Sequence, residues 1–104
     1  DWFTALETLK ASDLTAKSVA LFGCGDTESY GDTYCDAMGT LYNELKGSGC
    51  RFIGTGVPID GYGFSSSTAV IDGAFVGLAL DEVNQSSLTD GRIDRWADRI
   101  AEEL

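Results

Sequence analysis

The stretch Val19-Ala20-Leu21-Phe22-Gly23-Cys24-Gly25-Asp26 decides how this chain folds. Its first four residues are apolar, which is typical of a strand that is buried on both faces of a parallel sheet. The glycines that follow permit a close backbone approach or a positive φ. Next comes a polar loop, 26–32, with a single aromatic ring, Tyr30. Ligands of open α/β sheets bind at the carboxyl ends of strands. We therefore expect either a site for a flat ligand beside Tyr30 or an ordinary strand-to-helix loop.

Outward from this stretch, hydrophobic spacing predicts alternating helices and strands. Helices are predicted over 2–10, over 34–46 with Asp32 or Thr33 as the cap, and over 89–103 with Thr89 as the cap. A break at Ser12-Asp13 ends the first helix. Strands are predicted over 17–22, 50–54 and 74–80. The buried stripe of the last helix is expected to contain Ile93, Trp96, Ala97, Ile100 and Leu104. This alternation indicates an α/β layered fold.

Residues 57–73 do not fit a simple strand–helix–strand unit. They contain the single proline, Pro58, and a serine run at 65–67. Asp60-Gly61 and Asp72-Gly73 each predict a turn. The segment is therefore interpreted as an excursion between two strands.

Composition limits the classes of function. The chain has 104 residues, 17 acidic and 7 basic, and a net charge of −10. Nucleic acid and anionic membranes are poor partners for it, because both require basic patches. The acidic surface serves either to attract a basic protein partner or to keep the chain in solution. No apolar run approaches the roughly 20 residues of a membrane span.

The chain has three cysteines and no histidine. Without histidine there is no Ser-His or Cys-His nucleophilic pair, and we expect no metal site. The spacing of Cys24, Cys35 and Cys50 fits neither a disulfide framework nor a zinc pattern. Reduced thiols favour a cytoplasmic location, or the plastid stroma if the source is an alga.

Several motifs, in order, resemble the C-terminal portion of a long-chain flavodoxin. They are 19–26 followed by Tyr30, Asp36-Ala37-Met38-Gly39, Asp60-Gly61-Tyr62-Gly63-Phe64 and 75–85. Flavodoxins are small electron carriers that hold FMN. The resemblance implies a flavodoxin-like doubly wound parallel sheet with helices on both faces. It also implies that residues 1–104 are the C-terminal portion of one domain, and that 57–73 is the long-chain insertion, which splits the last strand.

The resemblance also implies a set of flavin contacts. Tyr30 matches the tyrosine that stacks on the outer face of the isoalloxazine ring. The N–H groups of Asp26 and Cys35 match the donors to the O2 carbonyl of the ring, and the carbonyl of Thr33 matches the acceptor of its N3–H. The implied cofactor-binding residues are Cys24, Gly25, Asp26, Tyr30, Thr33 and Cys35.

The function implied is that of a low-potential one-electron carrier between redox proteins, and not that of an enzyme. Expected partners are basic surfaces of redox proteins such as a flavodoxin reductase, and the N-terminal half of the domain, which in the family holds the phosphate-binding loop. The alternative is a flavin-free binding or signalling module of the same fold. A nicotinamide enzyme is excluded, because Gly23-Cys24-Gly25 lacks the third glycine of the dinucleotide fingerprint.

Overall fold

The computed structural model describes residues 2–11 and 13–104, and for Trp2 and Phe3 it describes the backbone alone. The helices are α1 (Trp2–Ala11), α2 (Asp36–Leu45) and α3 (Ser86–Glu103). The strands are β1 (Ser18–Ala20), β2 (Phe22–Cys24), β3 (Arg51–Ile53), β4 (Val57–Pro58), β5 (Val70–Ile71), β6 (Ala74–Phe75) and β7 (Leu78–Leu80). Helix α2 packs against α1 and β2, while α3 packs against β7. The predicted α/β class is confirmed. The predicted break at Ser12 falls on a residue outside the described ranges.

β1 and β2 form one extended run, interrupted at Leu21, that organises the parallel part of the structure. β1 pairs with β3, and β2 pairs with β7. The carbonyl groups of Lys17 and Leu21 accept hydrogen bonds from β3 and β7 at 2.8 and 2.9 Å, and the N–H of Gly25 donates to β7 at 3.0 Å. Successive residues of a strand direct their backbone groups to opposite edges, so residues an even number of positions apart share an edge. Residues 17, 21 and 25 are such a set. β3 and β7 therefore lie end to end along one edge of the run. No strand among residues 2–11 and 13–104 pairs with its other edge.

Between β3 and β7 the chain builds a small antiparallel sheet with the order β4-β6-β5. Both predicted turns are confirmed. Gly61 has φ +85°, and Asp72 and Gly73, which join β5 to β6, have φ values of +54° and +82°. The predicted single strand 74–80 is wrong, because a bend at 76–77 divides it into β6 and β7. The strand predicted over 17–22 lies instead over 18–24, as β1 and β2 with the interruption at Leu21. The strand predicted over 50–54 is the shorter β3, Arg51–Ile53.

Aromatic side chains form the centre of the core. Phe75 is fully buried and lies 6.0, 4.9 and 5.3 Å, centroid to centroid, from the rings of Tyr34, Tyr62 and Phe64. Tyr34 stacks on Phe64 at 5.5 Å. Edge-to-face and offset contacts of this kind add to the energy of burial. The core therefore joins the beginning of α2 to the excursion between β3 and β7.

The predicted helix caps are wrong. Helix α2 begins at Asp36, and its N-cap is Cys35 in the left-handed conformation, with no side-chain cap from Asp32 or Thr33. Helix α3 begins at Ser86, three residues before Thr89. The hydroxyl of Thr89 instead donates to the carboxylate of Glu82. Side-chain oxygens near a helix start have more than one available backbone or side-chain partner, so composition alone does not locate the cap.

The predicted buried stripe of α3 is largely wrong. Trp96 and Ile100 are half-buried, but Ile93, Ala97 and Leu104 are exposed. The helix instead turns the face with Arg92, Trp96 and Arg99 toward the rest of the chain. Among the described residues, no helix is long and apolar enough to cross a membrane.

Gly77 supplies a test of the packing between β7 and the central run. A Cβ atom at this position would lie 2.2 Å from the carbonyl oxygen of Leu21, which accepts the Leu78 N–H bond. Because backbone must move to admit the methyl group, we expect Gly77→Ala to lower the free energy of unfolding by about 1–3 kcal/mol. Gly47→Ala is the matched control, since no atom lies within 4 Å of its Cβ position. Urea denaturation measures the free energy of unfolding of both variants. Equal values for Gly77→Ala and Gly47→Ala would contradict the close contact at Gly77.

Candidate functional site

A cleft of about 410 Å³ opens beside the carboxyl end of β2. It is lined by all six residues that the resemblance implies for cofactor binding, Cys24, Gly25, Asp26, Tyr30, Thr33 and Cys35. Tyr34, Asp36 and Ala37 complete the lining. The structure thus brings the end of β2, the loop after it and the first turn of α2 into one site.

Tyr30 is the exposed aromatic ring of the cleft, with 66% of its surface accessible. Its backbone is nevertheless held by the loop. The N–H of Tyr30 donates to the carbonyl of Asp26 at 2.9 Å, and its own carbonyl accepts from the N–H of Thr33 at 3.2 Å. A fixed backbone beneath an exposed ring lets the ring cover a flat molecule with little loss of backbone entropy.

Two backbone donors at the cleft are unused. Among the described residues, neither the N–H of Asp26 nor that of Cys35 donates a hydrogen bond. Cys35 has φ +55° and precedes the first turn of α2, where N–H groups lack partners within the helix. The carbonyl of Thr33 accepts the N–H of Asp36 at 3.2 Å, and its second lone pair stays available. The cleft therefore offers two donors and one acceptor from the main chain.

Gly25 and Tyr34 form the floor of the cleft. A Cβ atom on Gly25 would lie 2.7 Å from Cδ1 of Tyr34, so this position admits only glycine without movement of a buried ring. Tyr34 is 1% exposed, and its hydroxyl has no hydrogen-bond partner in the part of the chain that is described. Burial raises the pKa of Tyr34 well above its ordinary value.

Cys35 is a buried free cysteine, an environment that disfavours the reactive thiolate. Burial raises the pKa of Cys35 to about 11, so the thiol is protonated near neutral pH. The described residues also contain no group of three His, Cys, Asp or Glu side chains that could hold a metal ion. The groups that the cleft does offer, an exposed aromatic ring and main-chain hydrogen-bonding groups, suit a flat polar molecule.

The carboxylate of Asp26 orders the loop from its beginning. It accepts the N–H groups of Glu28 and Ser29 at 3.1 and 3.0 Å and the side-chain amide of Asn84 at 2.8 Å. The hydrogen bond from Ser29, followed by that from Asn84, lowers the pKa of Asp26. The loop is thus connected to the segment that follows β7.

The residue that sequence reasoning missed is Asp81, a fully buried carboxylate directly after β7. It accepts the N–H and the hydroxyl of Thr27 at 3.1 and 2.5 Å, and the N–H groups of Val83 and Asn84 at 3.2 and 2.9 Å. Burial acts to raise the pKa of Asp81, but the bonds from Thr27 and Asn84 outweigh it and hold the pKa below its ordinary value. An acid at the carboxyl end of a wholly apolar strand was the available signal.

The excursion between β3 and β7 also contacts the residues that form the cleft, through its serine run and Thr68. The N–H groups of Ser65 and Ser66 donate to the carbonyl of Gly31 at 2.8 and 2.9 Å. The carboxylate of Asp36 accepts the N–H and hydroxyl of Thr68 at 2.8 and 3.0 Å. The serine run and Thr68 therefore hold the loop and the first turn of α2 in place.

Comparisons with known proteins agree with this architecture. The family model described as flavodoxin matches residues 1–96. The flavodoxin of Haemophilus influenzae is 41% identical over 105 residues, which cover 100% of this chain and 60% of that protein. Flavodoxin 1 of Escherichia coli K12 is 43% identical over 105 residues, covering 100% of this chain and 59% of that protein. A crystal structure of Fusobacterium nucleatum flavodoxin bound to flavin mononucleotide superposes with a TM-score of 0.93 at 35% identity, over 99% of this chain and 61% of that one.

These similarities establish the fold as flavodoxin-like, an α/β architecture with parallel strands. The chain belongs to the flavodoxin family. It spans about 60% of the length of the curated relatives that it matches.

The buried carboxylate gives a prediction for acid stability. Because the pKa of Asp81 is lowered in the folded state, its ionised form stabilises the fold at neutral pH, and this contribution is lost as the pH falls below about 4. We expect Asp81→Asn to cost about 1.5–3 kcal/mol of unfolding free energy at pH 7, and the difference from the parent protein to shrink toward pH 3.

Asp98→Asn is the control for this experiment, since Asp98 is exposed on α3. Urea titrations from pH 7 to pH 3 measure the three proteins. A constant difference between the parent and Asp81→Asn across this range would show that ionisation of Asp81 does not contribute.

Proposed function

We propose that this chain is the C-terminal portion of a long-chain flavodoxin, a low-potential one-electron carrier that binds FMN without a covalent bond and shuttles electrons between redox proteins. The observation that carries the proposal is the cleft at β2, which joins an exposed ring, Tyr30, to two unused main-chain donors, Asp26 and Cys35. In this proposal the protein is an electron carrier and not an enzyme; the support is that the cleft offers an exposed ring and main-chain groups for binding a cofactor.

The donor set of the cleft fits the pyrimidine edge of an isoalloxazine ring. In this assignment the N–H groups of Asp26 and Cys35 donate to the ring carbonyl, and the carbonyl of Thr33 accepts the ring N–H. Tyr30 covers one face of the ring, and Cys24 and Gly25 lie along its edge. When bound, FMN supplies the electron-transfer chemistry. The residues of this chain position the ring, and the surrounding negative charge disfavours an anionic reduced cofactor, which lowers its potential.

The second part of the proposal is that an N-terminal portion of the same domain completes the sheet and the site. Its support is the unpaired edge of the run 18–24 and the 65% exposure of Phe22 on that run. Exposed Ile93 and Ala97 on α3, with exposed Leu104 directly after it, are further apolar side chains of the kind that packs against additional chain. In this proposal residues 1–104 belong to one domain. A phosphate-binding loop at a helix N-terminus lies in the N-terminal part.

We also propose that 57–73 is the long-chain insertion. Its support is that β3 and β7 pair with the same edge of one run, while β4 and β5 belong to a separate antiparallel sheet. The insertion would serve the flavin loop through the bonds of Ser65 and Ser66 to Gly31.

The proposed partners are redox proteins with basic surfaces, such as a flavodoxin reductase, and the proposed location is the cytoplasm, or the plastid stroma if the source is an alga. The support for basic partners is the net charge of −10. Opposite charge accelerates the encounter of two proteins.

The flavin assignment predicts a selective effect at Tyr30. In the protein that carries this chain together with its N-terminal part, Tyr30→Ala should weaken FMN binding by about 1–3 kcal/mol, because stacking on one ring face is lost. Tyr30→Phe keeps the stacking surface and should bind within about twofold of the parent. Quenching of FMN fluorescence measures all three proteins.

Val83→Ala, at a side chain that is 69% exposed outside the cleft, is the control for surface truncation. Equal affinities of Tyr30→Ala and the parent would refute the stacking role. A colourless protein that does not bind FMN at micromolar concentration would favour the flavin-free alternative.

Electron transfer to a basic partner is expected to slow as salt rises. The acidic surface attracts such a partner, and salt screens this attraction over about 8–10 Å at physiological ionic strength. Stopped-flow rate constants measured between about 20 and 200 mM salt should fall several-fold. Reduction by an uncharged small molecule is the control and should hardly change. A rate with the protein partner that stays constant over this range would mean that the acids serve solubility alone.

A further inference from the structure

A second cleft, of about 270 Å³, lies between helix α3 and the turn at 57–62. Three arginines of α3 line it, Arg92, Arg95 and Arg99, together with the rings of Tyr62 and Trp96. The chain has only seven basic residues against 17 acidic ones, so nearly half of its positive charge converges here. We propose that this cleft binds a small phosphate monoester whose organic part is flat.

The three arginines differ in how many of their guanidinium donors already bind other residues of the chain. Arg92 is buried, donates to the side chain of Gln85 at 2.8 Å and lies 3.9 Å above the Tyr62 ring. Arg99 donates to the carbonyl of Thr55 and lies 3.7 Å from the carboxylate of Glu103. Within the described ranges, the guanidinium of Arg95 makes no hydrogen bond or ion pair. Arg92 therefore shapes the cleft, and Arg95, with the remaining donors of Arg99, is available to a ligand.

The charge of the cleft favours an anionic ligand with several oxygen acceptors. Three guanidinium groups and one carboxylate, Asp60, line it, and the carboxylate of Glu103 lies 3.7 Å from Arg99, which leaves an excess of one positive charge. A phosphate monoester carries about −1.5 to −2 at neutral pH, whereas a carboxylate carries a single charge. Guanidinium groups also bind phosphate through paired N–H donors.

The aromatic walls and the size of the cleft indicate the organic part. Tyr62 and the indole of Trp96 are both half-buried, and the indole N–H is held by the carbonyl of Gly54 at 2.8 Å. These fixed rings offer a flat apolar surface. A volume of about 270 Å³ holds a phosphate group with one small ring, which is below the range of larger ligands.

The cleft is separate from the proposed flavin site and from the unpaired strand edge. It contacts β4, β7 and α3, and shares no residue with the cleft at Tyr30. The unpaired edge of the run 18–24 faces away from β7, and the exposed apolar residues Ile93 and Ala97 of α3 do not line the arginine cleft.

Titration of the ¹⁵N-labelled protein with phenyl phosphate at constant ionic strength and pH 7.5 tests the proposal. We expect saturable shifts of the Trp96 indole and of residues 57–62. Binding should be weaker for benzoate and for inorganic phosphate, and at least fivefold weaker in Arg95→Gln. Lys17→Gln removes one positive charge from an exposed position outside the cleft and should bind within twofold of the parent. Arg95→Lys keeps the charge but loses the planar donor pair, and is expected to be intermediate.

The proposal would be overturned by shifts that do not saturate, by shifts confined to 24–35, or by equal effects of Arg95→Gln and Lys17→Gln. Inorganic phosphate that binds as tightly as phenyl phosphate would exclude an organic ligand. Tighter binding of an acidic peptide would assign the cleft to a protein partner instead. Far-UV circular dichroism establishes that each variant is folded, and because Arg95 is exposed on α3, its replacement leaves the core intact.

Discussion

The fold and its main cleft depend on one buried carboxylate, Asp81. Burial of an ionised group is costly unless donors replace water, and here the donors come from Thr27 in the loop after β2 and from Val83 and Asn84 after β7. Asn84 also donates to Asp26, so one short segment holds the loop at two points. The carboxyl ends of two neighbouring strands are thereby fixed together, and the cleft opens at the place where they meet.

The excursion between β3 and β7 is part of this arrangement. Its aromatic residues Tyr62 and Phe64 pack around Tyr34, and its serines bind Gly31. Gly39 admits the backbone of Thr68, because a Cβ there would lie 2.6 Å from the Thr68 carbonyl. The excursion thus supports the loop that carries Tyr30 as directly as the parallel strands do.

The sequence predicted the strands and turns better than it predicted the helix faces. An apolar run followed by two glycines strongly favours a buried strand that ends in a loop. Asp72-Gly73 strongly favours a left-handed turn. The face that α3 buries depends on which surface it meets, and that surface is contributed by distant residues such as Thr55 and Gly54. Asp81 was missed for a similar reason, since Thr27, which donates two of its hydrogen bonds, lies 54 residues away. The six residues that the sequence predicted to bind a cofactor line one cleft, because they lie within twelve positions of one another along the chain.

The two clefts differ in the charge of the side chains that line them, and therefore in the ligand groups that they suit. The cleft at Tyr30 contains Asp26 and Asp36 and no basic side chain, so it suits the neutral ring of a cofactor and not its phosphate. A dianionic group requires oriented N–H donors or guanidinium groups. In the proposed carrier, ring recognition therefore belongs to this chain and phosphate recognition to the N-terminal portion. The arginines of α3 line a separate cleft, which shares no residue with the one at Tyr30. Their concentration in an otherwise acidic chain is the observation from which we infer a second anionic ligand.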